Sequence, residues 1–322
     1  MSGSALSASP IALGTAAFGD DDRGSWNVGE DRAHRLVRHA FDRGITLFDT
    51  GSSYGGGLAE QRLGDALAAI GERVAVRIVT KLFFPSTPGA GDGGLSRAAM
   101  TATLDRSLKR LRTDHVDMLM IHRWDPAVPL DETLAALDGF VRSGRVRSIG
   151  ASSMSAWRLM KALGLQRQDG LAPFAAMQGY HNLLYREEER EMIPLCREEG
   201  LHYMAWSPLA RGRLAGPAAD AGRLATDPLA AVRHDEALDA PVLAALDAVS
   251  AETGVPHAAL ALRWLSERGA QPVIGASSEA EIDIALDAVT GKTPMPDLST
   301  VERAYRPHGV LGFDLEAEQA IG

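Results

Sequence analysis

The chain has 322 residues, 45% of them hydrophobic and 23% charged, which is typical of a globular protein with a large core. A net charge of -9 argues against a nucleic-acid partner, and a single cysteine, Cys196, excludes an intrachain disulfide and a cysteine-based zinc site. The amino terminus lacks the pattern of a signal peptide and no apolar stretch reaches the length of a membrane span, so we expect a cytoplasmic protein.

Strand and helix patterns alternate from one end of the chain to the other. Short apolar runs are typical of buried strands, and apolar residues three and four apart are typical of helices. In chain order, the predicted strands are 11–14, 45–50, 76–81, 116–122, 146–151, 174–178, 202–206 and 272–275. The predicted helices are 31–43, 60–70, 96–111 capped by Ser96, 131–141 capped by Asp131, 155–164, 187–199, 256–267 and 279–288.

Eight strands that alternate with helices favour a (β/α)8 barrel of the TIM type, an α/β fold, over an open doubly wound sheet. No GxGxxG motif follows an early strand, which weakens a Rossmann interpretation further. With no interdomain linker in view, residues 1–322 are expected to form a single domain. Two long loops interrupt the pattern, 83–94 and 210–239; the second is either a lid over the carboxyl ends of the strands or a disordered surface loop.

Three polar residues stand at the ends of successive predicted strands: Asp49, Lys81 and His122. Tyr54 lies five residues after the aspartate. Because a parallel barrel collects such residues at the carboxyl ends of its strands, we expect these four side chains to meet. Taken singly, each also fits an ordinary role, as a turn former, a surface charge or a hydrogen-bonded polar residue. Their recurrence at three strand ends favours a proton-transfer site.

The four side chains suit protonation of an oxygen. A free phenol has a pKa near 10, so Tyr54 needs a cation nearby to become a useful acid at neutral pH. Lys81 is the candidate cation, and Asp49 would keep it charged and positioned. Two unit charges about 4 Å apart interact by roughly 4 kcal/mol near a surface. That energy is enough to lower the pKa of a phenol by roughly 2 to 3. His122 would orient a carbonyl group or relay protons.

Seven segments together resemble one enzyme family over nearly the whole chain. They are FDTGSSYGGGLAEQRLG at 48–64, IVTKL at 78–82, DMLMIHRWDP at 117–126, SGRVRSIGASSMSAW at 143–157, MQGYHNLLYREEER at 177–190, MAWSPLARGRL at 204–214 and PVIGASS at 272–278. The family is the aldo-keto reductases, and the resemblance is to a bacterial and fungal branch with chains of about this length. It implies a (β/α)8 barrel that reduces carbonyl groups with NAD(P)H, with Tyr54 as proton donor, Lys81 and Asp49 as its activating pair and His122 as substrate orienter.

The resemblance also implies three sets of cofactor-binding residues. Around the nicotinamide it places Ser152, Ser153, Gln178 and Trp206, with Trp206 stacked on the ring; relatives usually carry Asn where this chain has Ser153. Along the pyrophosphate it places the backbone of Ser207, Pro208 and Leu209 and the side chains of Arg211 and Arg213. At the start of the last predicted helix it places Gly275, Ala276, Ser277, Ser278 and Glu281, because helix N-termini bind phosphate.

The choice between the two nicotinamide nucleotides depends on that last helix. Relatives usually carry Lys or Arg there, which holds the 2′-phosphate of NADPH, whereas this chain has serines together with Glu279 and Glu281. A carboxylate repels a phosphate and can accept a hydrogen bond from the 2′-hydroxyl of NADH. Family habit favours NADP(H) slightly, and NAD(H) is the alternative.

Bulky rings near the strand ends are candidates for the substrate pocket: Trp26, Phe83, Phe84 and Trp124. They suit an aromatic or sugar aldehyde or another small carbonyl compound; no nucleic acid or membrane partner is expected, and the sequence does not indicate the oligomeric state. Two alternative functions would require different features. A barrel that binds the nucleotide as a sensor or regulatory subunit would lack turnover, and a metal-dependent lyase would need more clustered histidines and carboxylates than Asp49 and His122.

Overall fold

Eight short parallel strands close into a barrel, each paired with its neighbours in the chain and the eighth with the first. The computed structural model describes residues 9–19, 27–87, 89–216, 227 and 233–311. The strands are β1 (Ala12–Gly14), β2 (Leu47–Asp49), β3 (Arg77–Leu82), β4 (Val116–Ile121), β5 (Val146–Ser152), β6 (Phe174–Tyr180), β7 (His202–Trp206) and β8 (Gln271–Ile274). The predicted (β/α)8 barrel is confirmed, and each strand lies within two residues of its expected bounds.

Helices connect the strands and surround the barrel. They are α1 (Glu30–Asp42), α2 (Leu58–Ile70), α3 (Arg97–Arg110), α4 (Leu130–Arg142), α5 (Ala156–Gln168), α6 (Met192–Glu198), α7 (Glu236–Thr253), α8 (His257–Glu267), α9 (Glu279–Val289) and α10 (Ser299–Ala304). Within the described part of the chain, none is long and apolar enough to cross a membrane.

Three helix predictions were wrong in detail. Pro129, not Asp131, occupies the cap position of α4, and Asp131 lies in its first turn. The expected helix 187–199 is divided into a turn, Glu187–Glu189, and α6, since the proline at 194 has no N–H to extend the helix backwards. The expected loop 210–239 ends earlier than predicted, because the Asp235 side chain caps α7 through the N–H of Ala237 at 2.9 Å.

The barrel interior is apolar at its centre and polar at the carboxyl ends of the strands. Its centre contains one cluster of buried residues: Ala12, Leu47, Val79, Met118, Met120, Ala176, Met204 and Val273. Side chains alternate along a strand, so the residue two positions after an inward-facing one also faces inward. Two positions after Leu47, Val79 and Ala176 stand Asp49, Lys81 and Gln178. The inward face therefore changes from packing residues to chemically active ones at one end.

Candidate active site

A buried ion pair joins the ends of β2 and β3. The ammonium of Lys81 donates to Oδ1 of Asp49 and, at 2.9 Å, to the carbonyl of Thr50. Lys81 is 1% exposed and Asp49 3%. Burial alone would lower the pKa of Lys81, but the charge of Asp49 and its hydrogen bond raise it above the ordinary value. The lysine therefore stays a cation at neutral pH, held in place by the carboxylate.

Tyr54 stands beside this pair, at the start of a helical turn, Tyr54–Gly57, that follows β2. The two glycines after it take φ angles of 57° and 66°, a left-handed backbone that glycine adopts without strain. The Lys81 nitrogen lies 5.3 Å from the centre of the Tyr54 ring. The Tyr54 hydroxyl lies 3.4 Å from Nε2 of His122, a long contact for a hydrogen bond. All four predicted residues are thus brought together at one end of the barrel.

His122 directly follows β4 and is almost fully buried, with the ring of Phe84 packed edge-on at 5.0 Å between centres. Burial, together with the positive charges of Arg123 and Lys81, holds the pKa of His122 well below its usual value. The imidazole is therefore neutral at neutral pH. A neutral imidazole has one N–H donor and one acceptor nitrogen, a form suited to hydrogen bonding a carbonyl oxygen.

The carboxylate of Asp49 has a second partner that the sequence did not reveal. The side-chain amide of Gln178, at the end of β6, donates through Nε2 to Oδ2 of Asp49 at 2.9 Å. The two residues lie on different strands, so only the closure of the barrel brings them together. The side-chain oxygen of Gln178 has no hydrogen-bond partner within the described ranges. Gln178 thus links the ion pair to the region where the resemblance places the nicotinamide.

A second buried network supports the turn that carries Tyr54. The carboxylate of Glu60, fully buried on α2, accepts from Thr80 at 2.6 Å and from the Arg110 guanidinium at 2.8 and 2.6 Å. Arg110 also donates to the carbonyl of Ser52 at 3.3 Å. The sequence placed Glu60 in a predicted helix and indicated no role for it in the site. Its position on the apolar face, three residues before Leu63, is the signal that marks it as a buried charge.

Serine, tyrosine and tryptophan side chains line the ends of β5, β6 and β7. The Trp206 ring N–H donates to the hydroxyl of Ser153 at 3.1 Å, and the hydroxyls of Ser152 and Ser153 are 3.3 Å apart. The Trp206 ring stacks on that of Tyr180, with centres 4.5 Å apart. The guanidinium of Arg233 lies 4.8 Å from the Trp206 ring centre. Trp206 is therefore fixed on neighbouring groups while staying partly exposed.

The segment after β7 has an unusual backbone. Ser207, Ala210 and Arg211 all take positive φ angles, between 48° and 55°, which is uncommon for residues other than glycine. Such conformations turn backbone N–H groups into concave anion-binding surfaces. Pro208 has no N–H, so it contributes shape and no donor.

Both arginines predicted to neutralise a pyrophosphate are paired with carboxylates. Arg211 binds Asp227 at 2.7 Å, and Arg213 binds Glu236 at 2.6 Å. Arg213 also lies 3.7 Å from the buried Asp239. An anionic ligand here would therefore exchange or share these existing partners.

The start of α9 forms a closed capping arrangement. The hydroxyl of Ser278 accepts from the N–H of Glu281 at 3.3 Å. In return the Glu281 carboxylate accepts from the N–H of Ser277 at 2.8 Å and from its hydroxyl at 3.0 Å. Gly275 is exposed and Ala276 is buried. The donors that a phosphate would use at Ser277 are thus already bonded to a carboxylate of the same chain.

The predicted substrate-binding rings have different environments. Phe83 is 8% exposed and packs edge-on against Phe84, with ring centres 5.1 Å apart. Trp124 is partly exposed, two residues after His122. Trp26 lies outside the described residues. Phe84 is therefore the predicted ring that the structure places against the four-residue cluster, through its contact with His122.

Comparison with known proteins gives concordant matches along the chain. The profile described as "Aldo/keto reductase family" matches residues 10–306. A versiconal hemiacetal acetate reductase of Aspergillus parasiticus is 34% identical over 95% of this chain and 96% of its own length. A putative aryl-alcohol dehydrogenase of Saccharomyces cerevisiae is 31% identical, covering 94% of this chain and 95% of its own. An aldo-keto reductase of Alternaria alternata is 35% identical, covering 94% and 89%.

Proposed function

Because this chain belongs to the aldo/keto reductase family and is thus an oxidoreductase of carbonyl groups, we propose that it uses a nicotinamide nucleotide as the hydride carrier. The observation that carries the proposal is the cluster of Asp49, Tyr54, Lys81 and His122 at one end of the barrel. The printed names of its relatives point to aryl and hemiacetal compounds as the substrate class. A cytoplasmic location stays a prediction.

The chemistry of the surrounding groups fits a nicotinamide nucleotide. A carboxamide needs donors and acceptors, which the Ser152 and Ser153 hydroxyls and the side-chain oxygen of Gln178 supply. A pyrophosphate needs N–H groups and cations, which the segment 207–211, with three residues at positive φ, and the side chains of Arg211 and Arg213 supply. A flat aromatic face at Trp206 suits the ring.

The protein's own residues would then perform the proton chemistry. When bound, the nucleotide supplies a hydride to the carbonyl carbon. The neutral imidazole of His122 donates a hydrogen bond to the carbonyl oxygen and directs it towards Tyr54. The Tyr54 hydroxyl delivers its proton to that oxygen, and the ammonium of Lys81 stabilises the phenolate that remains. Asp49, fixed by Gln178, keeps that ammonium in place.

The first test is turnover. The purified protein should oxidise NADPH or NADH when given aromatic aldehydes, as measured by loss of the reduced nicotinamide absorbance. Titration of each nucleotide, followed by quenching of tryptophan fluorescence, measures binding separately. Tight nucleotide binding without turnover across a broad aldehyde panel would favour the sensor or regulatory alternative instead. Turnover that continues in the presence of a chelator would exclude the alternative of a metal-dependent lyase.

Nucleotide preference should depend on Glu281. Its carboxylate occupies the Ser277 donors, so a 2′-phosphate placed there would meet both repulsion and competition. Replacing Glu281 by glutamine should tighten NADPH binding by about fivefold, corresponding to about 1 kcal/mol for a screened surface charge, and should not tighten NADH binding. The gain should shrink as salt is added. The measurement is the ratio of the two dissociation constants in the variant and the parent.

The matched comparison is Glu279→Gln, which removes an equal charge from the same helical turn. Glu279 makes no hydrogen bond to Ser277, so its replacement should change the ratio of the two dissociation constants less than Glu281→Gln does. An unchanged ratio in Glu281→Gln would place the 2′-position of the nucleotide away from α9. A loss of NADH affinity would instead indicate that the carboxylate accepts from the 2′-hydroxyl.

A further inference from the structure

An arginine is held between two tryptophans at the end of the barrel that carries His122. The guanidinium carbon of Arg158 lies 5.4 Å from the ring centre of Trp124 and 5.2 Å from that of Trp157. The two indole rings are 6.4 Å apart between centres and tilted by 51°. Such cation–π contacts fix the position of an arginine without neutralising its charge.

The fold places these three residues at the mouth of the site. Trp124 follows His122 by two residues, at the end of β4. Trp157 and Arg158 lie in the first turn of α5, after β5, the strand that pairs with β4. They therefore belong to the same end of the barrel as His122, on the two neighbouring loops. Trp157 is 61% exposed, so its ring faces solvent at this end.

Arg158 differs from three other arginines that stack on rings in this protein. Arg145, Arg186 and Arg268 each contact an aromatic ring and also pair with a carboxylate. Arg158 forms no ion pair with any described residue, and its Nε atom is buried without a hydrogen-bond partner there.

The carboxylate that directly follows Trp124 in the sequence is used elsewhere. Asp125 accepts from the backbone N–H groups of Leu95 at 2.8 Å and Ala127 at 2.9 Å, so both of its carboxylate oxygens hold backbone segments in place. Arg158 thus keeps guanidinium donors for a ligand. A guanidinium recognises a carboxylate through two parallel hydrogen bonds, and the flanking indoles offer faces for an aromatic ring.

We infer that Trp124, Trp157 and Arg158 form a recognition site for the carboxylate of an anionic aromatic carbonyl substrate. This rests on the proposed function, because the carbonyl group of the same molecule would have to reach Tyr54 and His122. The aromatic ring would lie against the indoles while the carboxylate pairs with Arg158. The site would then select carboxylate-bearing aryl aldehydes over neutral ones.

The kinetic test compares 4-formylbenzoate with its methyl ester, which has the same aldehyde and ring but no charge. In the parent enzyme the acid should have the higher kcat/KM. Arg158→Gln should lower kcat/KM for the acid by about tenfold or more, mainly through KM, and leave the ester within about twofold. Arg158→Lys keeps the charge but not the paired donors, so its kcat/KM for the acid should lie between those of the parent and of Arg158→Gln.

A binding test separates this inference from the proposed function. Benzoate should quench the tryptophan fluorescence of the protein without nucleotide, benzamide should not, and Arg158→Gln should weaken the benzoate response by about tenfold. The inference is overturned if Arg158→Gln, folded by circular dichroism, binds benzoate and turns over both aldehydes like the parent. If neither aldehyde reacts with either nucleotide, the proposed function fails, and benzoate binding still decides the anion site.

Discussion

Replacing Tyr54 by phenylalanine should lower kcat for aldehyde reduction by about a hundredfold to ten-thousandfold, the range that a positioned general acid contributes. The variant removes one oxygen atom, which interacts with the ammonium of Lys81 and lies 3.4 Å from Nε2 of His122, a long contact for a hydrogen bond. Because that contact is long, the free energy of unfolding should change by less than about 1 kcal/mol. Nucleotide affinity, measured by tryptophan fluorescence, should stay close to that of the parent.

Tyr203→Phe is the matched control. Tyr203 lies on β7, is buried away from the barrel centre, and its hydroxyl has no hydrogen-bond partner in the described part of the chain. Its removal should leave kcat unchanged, so the same chemical change would have an effect only at position 54. If Tyr54→Phe reduces aldehydes at nearly the parent rate, another group must supply the proton and the assignment is wrong.

Replacing Lys81 by methionine should affect both turnover and stability. Without the ammonium, nothing compensates the charge of the phenolate left after proton transfer, so kcat should fall by at least a hundredfold. In the reverse reaction, alcohol oxidation, the rate should begin to rise at a higher pH in the variant than in the parent. The buried Asp49 would also lose its counter-ion, which should cost about 3–5 kcal/mol in the free energy of unfolding, as measured by urea denaturation.

The double variant Asp49→Asn, Lys81→Met separates the two effects. It removes both buried charges, so most of the lost stability should return, because the cost of the single change comes from an unpaired carboxylate. Turnover should stay low, because the cation is still missing. Recovery of kcat in the double variant would mean that Lys81 supports folding alone and takes no part in proton transfer.

The stability contribution of this ion pair should persist over neutral and mildly alkaline pH. The pKa of Lys81 is raised in the folded protein. Its contribution to stability is therefore complete below the pKa of the unfolded state and is lost as the pH rises through the pKa of the folded state. The pKa of His122 is depressed in the folded protein, so stability should instead fall at acid pH, where the unfolded chain binds a proton that the buried imidazole rejects.

Local patterns predicted the barrel well because a buried parallel strand is a short apolar run whatever it pairs with. Strand β7 has the predicted bounds, His202–Trp206, and the other strands are close to theirs. Helix boundaries were harder to predict where caps and proline decide them, as at Pro129 and in the interrupted segment before α6. Helix α7 was missed because it begins inside a polar, glycine-rich stretch.

The partners within the site were not predictable in the same way. The hydrogen bond from Gln178 to Asp49 joins residues 129 positions apart, and the bond between Arg110 and Glu60 joins residues 50 positions apart. Neither is a neighbour in any local pattern. The pairing of Arg211 with Asp227, 16 positions apart, is likewise outside any local pattern.

The sequence by itself determined the barrel and the four residues at the ends of its strands, because strand polarity and the alternation of side chains depend on local order along the chain. Only the tertiary structure decided how those residues are held. Closure of the barrel buried Lys81 against Asp49, added Gln178 to the pair and made His122 neutral. It also left Arg158 between two tryptophans without a carboxylate from the described residues, because burial and charge pairing depend on distances in space.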